Sequence, residues 1–182
     1  MTIRLQGDGV LLRPFNPEEF ATLWAEETRD RGSFESAWAP DDERAQERVR
    51  GRVEHSGTWR DGRVLDLAVE AGGELVGDVQ ARRDVEYAPP GTFDLGIGLF
   101  VERRGEGTGT VAISLITGFL FDEEGANRVQ LSTDVDNMAM RRAADKAGFT
   151  FEGIMRGFWQ VPDAPARDYA LYGRTREDHE AS

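Results

Sequence analysis

The sequence contains no cysteine and only two histidines, His55 and His179. Without cysteine the chain forms no disulfide, builds no thiolate metal site and carries no acyl group on an enzyme thiol. The two histidines lie far apart, and neither stands in a metal-ligand or Ser-His-Asp pattern. We therefore expect no metal ion, and we interpret both histidines as solvated loop or tail residues.

Positive charge and long apolar runs are also scarce. The chain carries 22 Lys and Arg against 34 Asp and Glu, which gives a formal net charge of -12. A surface this acidic repels polyanions and attracts cationic partners, so we expect no nucleic-acid binding. No run approaches the ~18 apolar residues of a membrane span, and the first residues lack the apolar core of a signal peptide. The expected location is therefore the cytoplasm, away from the membrane.

The composition is otherwise that of a folded domain. Hydrophobic residues make up 39% of the 182 residues, which is enough to form a core. Neither an internal repeat nor a low-complexity linker divides the chain, and domains usually hold ~100–200 residues. We therefore interpret residues 1–182 as a single domain.

Hydrophobic periodicity predicts a mixture of helices and strands. A helix is expected after Asn16, whose apolar side chains share one face, and a very polar helix is expected after Asp41. The apolar run 111–121 is long enough for a third helix. A fourth helix is expected from Asn137 to Gly148, with the glycine just past its end.

The strand signals are equally clear. Residues 64–70 and 74–82 flank an Ala-Gly-Gly turn and predict a hairpin. Residues 128–133 predict a further strand. Strict alternation over 93–101 predicts a strand with Asp94, Gly96, Gly98 and Phe100 on one face.

The segment ERRGEGTGT joins the strand over 93–101 to the helix over 111–121. At such a junction unpaired N–H groups and the helix dipole favour a bound phosphate, and glycines allow its close approach. The turn lacks the Lys-Ser/Thr pair of a Walker loop and the G-x-G-x-x-G spacing of a dinucleotide-binding turn. It matches R-x-x-G-x-G at Arg104, Gly107 and Gly109, a pattern that also fits a tight turn without a ligand.

The residues after this turn extend the pattern. A predicted helix and strand lead to NMAMRRAADKAGF, then to Glu152 and Gly153, and then to Asp168 and Tyr172 in D-x-x-x-Y spacing. With the opening LLRPFNPEE, these motifs resemble the GNAT superfamily of N-acetyltransferases, and in particular its RimJ/RimL branch. That branch acetylates protein N-termini and, in some members, small amines.

The resemblance implies an α+β fold with a mixed, mostly antiparallel central sheet, splayed at an acyl-CoA cleft and flanked by helices. It implies acetyl-CoA, or another acyl-CoA, as co-substrate, with its pyrophosphate on the glycine turn and its pantetheine arm along the preceding strand end. Some of the implied contacts have a plainer interpretation, as core residues at positions 100 and 101 and as a helix cap at position 137. The residues implied to bind the cofactor are Phe100, Val101, Arg104, Gly105, Gly107, Thr108, Gly109, Thr110 and Asn137.

Acyl transfer to an amine requires loss of a proton from the ammonium, stabilisation of the oxyanion and departure of the thiolate. Because the chain has no cysteine, direct attack on the thioester is the economical route. We expect a backbone N–H near Val101 to hold the oxyanion. Asp94 is the candidate proton acceptor, since it shares a face with Gly96 and Gly98 and matches a position where relatives often have Glu. The alternative is a solvated carboxylate.

Asp168 is the second candidate catalytic residue, because it shares a strand face with Tyr172 and could orient a substrate ammonium. Pairing with one of the many arginines is the alternative. Trp38 and Trp159 are candidate substrate-binding residues that could wall an acceptor pocket, including by cation-π contact, although core packing is the commoner fate of such side chains.

The leaving-group acid departs from the family pattern. Many relatives have Tyr where Ala144 stands, and members of the branch often have Ser where Met140 stands. Either the thiolate leaves by way of water, or another hydroxyl such as Ser132 or Tyr172 takes over, or catalysis is weaker.

The sequence thus predicts an acyl-CoA-dependent N-acyltransferase that moves acetyl from acetyl-CoA to a primary amine by direct attack. The acceptor is a protein N-terminus or a small-molecule amine, and the acidic surface fits both. The alternative is a non-catalytic acyl-CoA-binding sensor module, which the missing hydroxyls at positions 140 and 144 keep open. A nucleotide-binding domain unrelated to acyl transfer is a third interpretation, and a homodimer is left open by the resemblance.

Overall fold

The computed structural model describes residues 2–29, 42–83, 89–160 and 165–181. These residues form nine strands and five α-helices. The strands are β1 (Leu5–Gly7), β2 (Val10–Arg13), β3 (Trp59–Arg60), β4 (Val64–Ala71), β5 (Glu74–Arg83), β6 (Thr92–Leu99), β7 (Arg128–Asp134), β8 (Thr150–Trp159) and β9 (Arg167–Thr175). The helices are α1 (Phe20–Arg29), α2 (Asp42–Glu54), α3 (Thr108–Asp122), α4 (Met138–Lys146) and α5 (Arg176–Glu180).

All nine strands belong to one sheet with the order β1-β2-β4-β5-β6-β7-β9-β8, and β3 pairs with β4. Strands β6 and β7 run parallel, whereas the other neighbours in the described sheet are antiparallel. The mixed, mostly antiparallel sheet flanked by helices is therefore confirmed. None of the helices in the described segments is long and apolar enough to span a membrane.

The two faces of the sheet carry different layers. Helices α3 and α4 cover one face, and their buried side chains join those of the central strands in the main hydrophobic core. Helices α1 and α2 pack on the other face around a smaller cluster of Phe15, Leu23, Val49, Val53 and Ala68. Because side chains alternate along a strand, the residues of β4, β5 and β6 divide between the two faces. This division separates an apolar face from a partly polar one.

Most predicted elements are confirmed, and one boundary was wrong. The hairpin of β4 and β5 is present, and Gly148 follows α4 with a φ of 81°, as expected for a glycine just past a helix end. Strand β6 ends at Leu99 and not at residue 101, because Val101 begins a single turn of 3-10 helix. The expected cap at Asp41 lies outside the described residues.

A cluster of charges fixes the start of α1. Arg13 on β2 donates to both oxygens of Glu19 (2.6 and 2.9 Å) and to Glu70 on β4 (2.6 Å). The Glu19 carboxylate also accepts the backbone N–H of Asn16 at 2.7 Å. Burial by itself would raise the pKa of the Glu19 carboxyl, but the hydrogen bonds from Arg13 and Asn16 outweigh it and lower that pKa. The cluster therefore ties α1 to the sheet edge in an ionised state.

We predict that Glu19→Gln lowers the free energy of unfolding by about 1.5–3 kcal/mol at neutral pH, the range for hydrogen bonds to charged groups. Since the folded-state pKa of Glu19 is lowered, its contribution is complete above the unfolded pKa of ~4.3 and disappears as the pH falls through the folded value. Urea unfolding from pH 7 to pH 3 should show this loss. The exposed neighbour Glu18→Gln is the control, and equal effects of both variants would contradict the prediction.

Candidate active site

The sheet opens between β6 and β7. Their pairing stops at Leu95 opposite Leu131, whereas β6 stays paired with β5 and β7 stays paired with β9 beyond that point. The two strand ends therefore diverge, and we name the opening between residues 96–99 and residues 132–134 the split. Because β6 and β7 are parallel, the split opens toward the starts of α3 and α4, the side on which parallel strands bind ligands.

Backbone polar groups of β6 point into the split. The N–H of Phe100 donates to the carbonyl of Val76 on β5 at 2.9 Å, which sets the alternation of hydrogen bonds between β5 and β6. The N–H and C=O groups of Ile97 and Leu99 therefore point away from β5 and toward the split. A carbonyl oxygen placed in the split would meet these N–H groups.

This geometry changes which residues are expected to donate to the oxyanion. The sequence placed it near Val101, but that residue lies in the 3-10 turn beyond the strand. The open backbone of β6 lies two to four residues earlier, at Ile97 and Leu99. The Leu99 carbonyl already accepts a hydrogen bond from Nε of Arg104 at 2.8 Å, so the motif arginine folds back onto the split.

The glycine turn lies at the mouth of the split. Gly107 is the N-cap residue of α3 with a φ of 89°, and a Cβ added at Gly105 or Gly107 would meet no atom within 4 Å. The turn therefore faces open space. The N–H groups of Thr108 and Gly109 belong to the first turn of a 15-residue helix, where N–H groups have no partner within the helix. With the positive end of the helix dipole, they suit an anion.

The other expected cofactor contacts occupy different environments. Phe100 is partly buried against the smaller hydrophobic cluster, whereas Val101 is 48% exposed at the strand end. Asn137 is the N-cap residue of α4, and its Oδ1 accepts the N–H of Met140 at 3.1 Å. The helix-cap interpretation of Asn137 is thus confirmed, and its contact with a cofactor stays a prediction.

Two of the hydroxyl groups near the split lie on β7 and β9. Ala144 of α4 is fully buried, and Met140 is half-buried. Tyr172 pairs with Leu131 of β7, and its phenol oxygen accepts a hydrogen bond from Nε of Arg141 at 3.2 Å. Ser132 is half-buried along the split. Because it follows Leu131, its side chain lies on the face of the sheet opposite to Leu131 and Tyr172.

Asp94 belongs to a chain of hydrogen bonds on the polar face. It lies in the paired part of β6, and its Oδ2 accepts hydrogen bonds from Nη2 and Nε of Arg82 at 2.7 and 3.3 Å. Arg82 also donates to Gln80 (2.7 Å), which in turn donates to the buried carboxylate of Asp66 (2.6 Å). The side chain of Asp94 is only 21% exposed. Asp94 is therefore an ion-paired residue and not a solvated one.

Sequence reasoning missed the carboxylate on this face that lies next to the split, that of Asp78. Asp78 lies on β5 directly opposite Gly98, and a Cβ added at Gly98 would lie 3.3 Å from its Oδ1. Its Oδ2 accepts a hydrogen bond from Arg52 of α2, which is 2% exposed and also contacts Glu27 of α1. The signal in the sequence was the polar alternation of Asp78, Gln80 and Arg82 along β5. Their position next to the split depends on strand register, which the sequence does not reveal.

Asp168 and Trp159 lie on the far side of β7. The Oδ1 of Asp168 accepts the N–H of Gly157 at 2.7 Å, and Asp168 lines an open groove with residues 134–136 and 165–167. Trp159 ends β8, so β7 and β9 lie between it and Asp94. The structure therefore does not bring Trp159 and Asp94 together. Trp38 lies outside the described residues.

Next to Asp168 on β9 is Tyr169, a buried residue that does not line the groove. Tyr169 pairs with Asp134, and its ring lies 6.4 Å from that of Trp159. Burial raises the pKa of Tyr169, and the carboxylate of Asp134 raises it further, so the phenol is protonated at neutral pH. Across the described ranges, no group of three His, Asp or Glu side chains is arranged to hold a metal ion.

Comparisons with solved structures find the same fold. Mycobacterium smegmatis RimJ in complex with CoA-disulfide is 21% identical, with a TM-score of 0.75 over 97% of this chain and 88% of that chain. RimL, the ribosomal L7/L12 alpha-N-protein acetyltransferase in complex with coenzyme A, is 15% identical, with a TM-score of 0.78 over 95% and 98% of the two chains. The microcin C7 self-immunity acetyltransferase MccE, in complex with acetyl-CoA and AMP, is 17% identical, with a TM-score of 0.74 over 93% of each chain.

Sequence comparison gives the family. No curated protein matches the chain significantly. The model of the acetyltransferase (GNAT) domain family matches residues 10–150, which include β6, β7, the split and the glycine turn. Since this match covers most of the 182 residues, and since RimJ and RimL share the fold, the chain belongs to the GNAT acetyltransferase domain family.

Proposed function

We propose that the protein is an acyl-CoA-dependent N-acyltransferase that transfers acetyl from acetyl-CoA to a primary amine. The observation that carries this proposal is the split between β6 and β7 with the start of α3 at its mouth. A phosphate group would bind the N–H groups at the start of α3. The thioester arm would bind next to it, along the backbone of β6. The CoA and acetyl-CoA bound to the structural neighbours RimL and MccE support the same donor.

The proposed donor site follows the glycine turn and β6. The pyrophosphate would lie on the N–H groups of residues 105–110, with Arg104 released from the Leu99 carbonyl to reach it. The pantetheine arm would follow the open backbone of β6 past Val101, with Asn137 at the start of α4 on the other side. The carbonyl oxygen of the acetyl group would lie against the N–H of Ile97 or Leu99.

The chemistry proposed for this site is direct attack. The acceptor ammonium loses a proton, the amine nitrogen attacks the thioester carbon, and backbone N–H groups of β6 stabilise the oxyanion, a contribution of ~3 kcal/mol per donor in other enzymes. The C–S bond then breaks and the CoA thiolate takes a proton. We propose water, Ser132 or Tyr172 as the source of that proton, because Ala144 and Met140 supply none.

Two carboxylates retain proposed catalytic roles. Asp94 would receive the amine proton through a chain of waters, since its direct partner is Arg82. Asp168 would orient a part of the acceptor remote from the reacting amine, in the groove that it lines with Asp134, Asp136 and Arg167. Trp159, which does not line that groove, would contact the acceptor beyond it. Three carboxylates against one arginine leave the groove acidic.

The acceptor class in the proposal is a protein N-terminus or a small-molecule amine. The acetylation of a ribosomal protein by the neighbour RimL supports the first. The proposal keeps a cytoplasmic location and no nucleic-acid partner, in line with the net charge of -12. Whether the protein forms a homodimer is independent of this proposal.

We predict that titration calorimetry detects binding of acetyl-CoA in preference to ATP. A thiol-release assay with acetyl-CoA should then detect amine-dependent formation of free CoA with at least one member of a panel of alkylamines and of tetrapeptides with free N-termini. Binding without release across this panel would support the sensor module in place of the enzyme. Preference for ATP would contradict both.

A matched pair of variants tests the anion site on the glycine turn. Gly105 has a φ of 86° and open space around its Cβ position, and Asn and Asp both tolerate such a backbone. We predict that Gly105→Asp weakens acetyl-CoA binding about tenfold or more, because a carboxylate is placed against the pyrophosphate. Gly105→Asn, which has the same shape without the charge, should bind nearly as tightly as the wild-type protein in calorimetry. Equal affinities of the two variants would place the pyrophosphate elsewhere.

A further inference from the structure

We propose that Asp78 binds the ammonium group of the acceptor and that Arg52 positions Asp78 for this contact. The inference deepens the N-acyltransferase function proposed above and rests on it. It adds a residue that touches the substrate and a second residue that acts through the first. Neither was singled out by the motifs in the sequence.

The carboxylate of Asp78 lies beside the split. Asp78 is paired with Gly98, in the part of β6 that has separated from β7. Because Gly98 has no side chain, the Oδ1 of Asp78 lies over the strand, 3.3 Å from where a Cβ would be. The neighbouring residues Ile97 and Leu99 direct their N–H groups into the split. A thioester carbonyl held by those groups would lie next to the Asp78 carboxylate.

Arg52 sets the orientation of the Asp78 carboxylate. Arg52 is almost fully buried, and it holds the Oδ2 of Asp78 while it also contacts Glu27 and lies 3.6 Å from Asp66. An arginine that binds one carboxylate oxygen directs the other, and a carboxylate offers about four acceptor positions in all. Arg52 therefore orients the Asp78 carboxylate over Gly98. A carboxylate at that point suits a cationic group.

Asp94 lies nearer the start of β6 than Gly98, the residue that Asp78 faces. It lies four residues before Gly98, or about 13 Å along β6, in the part still paired with β7. Its Oδ2 is engaged by Arg82. The two carboxylates therefore have different roles. Asp78 binds the ammonium beside the thioester, and Asp94 receives the proton through a chain of waters.

The reaction balances with these roles. Asp78 accepts a hydrogen bond from the R-NH3+ group, and one proton passes through water to Asp94 and on to solvent. The lone pair of the nitrogen forms the C–N bond, the nitrogen then gives a second proton to water, and the C–S bond breaks with its electron pair on sulfur. The thiolate takes a proton from water or a hydroxyl, so the products are R-NH-acetyl, CoA and one released proton.

This role predicts selectivity for charged acceptors. A primary alkylamine reaches the site as an ammonium ion, whereas hydroxylamine is uncharged at neutral pH and is still a nucleophile. We expect Asp78→Asn to raise KM for the primary amine of the panel on which the wild-type protein is fastest. The ratio of its kcat/KM to that of hydroxylamine should fall roughly tenfold to hundredfold, as expected for loss of a charged hydrogen bond. Asp94→Asn should instead lower kcat and leave KM nearly unchanged.

A pair of glycine variants tests the geometry without altering any charge. In Gly98→Ala the new methyl group would lie 3.3 Å from Oδ1 of Asp78 and displace it, whereas in Gly96→Ala it would meet Nη2 of Arg82 at an ordinary 3.5 Å. The selectivity ratio should fall more in Gly98→Ala than in Gly96→Ala. Asp122→Asn, an exposed carboxylate at the end of α3, is the control for loss of charge.

Acetyl-CoA affinity and thermal melting of each variant separate folding defects from acceptor defects. The inference is supported if Asp78→Asn binds acetyl-CoA as the wild-type protein does and loses the selectivity ratio. It is overturned if the ratio is unchanged in Asp78→Asn, or if a folded Gly98→Ala retains it. A wild-type protein that binds acetyl-CoA and acetylates neither amines nor hydroxylamine would overturn the proposed function, and with it this inference.

Discussion

The end of pairing between β6 and β7 at Leu95 and Leu131 is the constraint on which the site depends. Two strands that stay hydrogen-bonded along their whole length leave no backbone groups for a ligand. Here each strand stays paired on its outer side, so the sheet remains whole while the N–H groups of Ile97 and Leu99 face the split. Because the pair is parallel, both strands lead to helix starts at the same mouth, and the proposed anion site at the start of α3 follows from the same geometry.

The division of the sheet into an apolar and a polar face completes the arrangement. On the apolar face, Phe93 and Leu95 of β6 pack under α3, which fixes the helix that offers its N–H groups. On the polar face, Asp94 and the two glycines of the same strand lie beside side chains of β5. In the proposed reaction, one strand would therefore serve both substrates. The apolar side would support the donor, and the charged side would meet the acceptor.

Local features of this division were predictable from the sequence, and long-range ones were not. The alternation along β6, the glycine turn before α3 and the cap at Gly148 depend on nearby residues, and they were predicted correctly. The position of Asp78 over Gly98 depends on the register between two strands, and the ion pair of Asp94 depends on Arg82 twelve residues away. The short helix α5 was missed, although the capping pair of Thr175 and Asp178 marks its start.

The most direct test follows the backbone amides of the protein by nuclear magnetic resonance during titration with acetyl-CoA. If the split holds the donor, the amides of Ile97, Leu99, Thr108 and Gly109 should shift together and saturate at one affinity. The chemical shifts of amides along the outer strand β8 should not change. Shifts confined to the groove of residues 134–136 and 165–168, with those four amides unmoved, would contradict the assignment of the split as the acyl-CoA site.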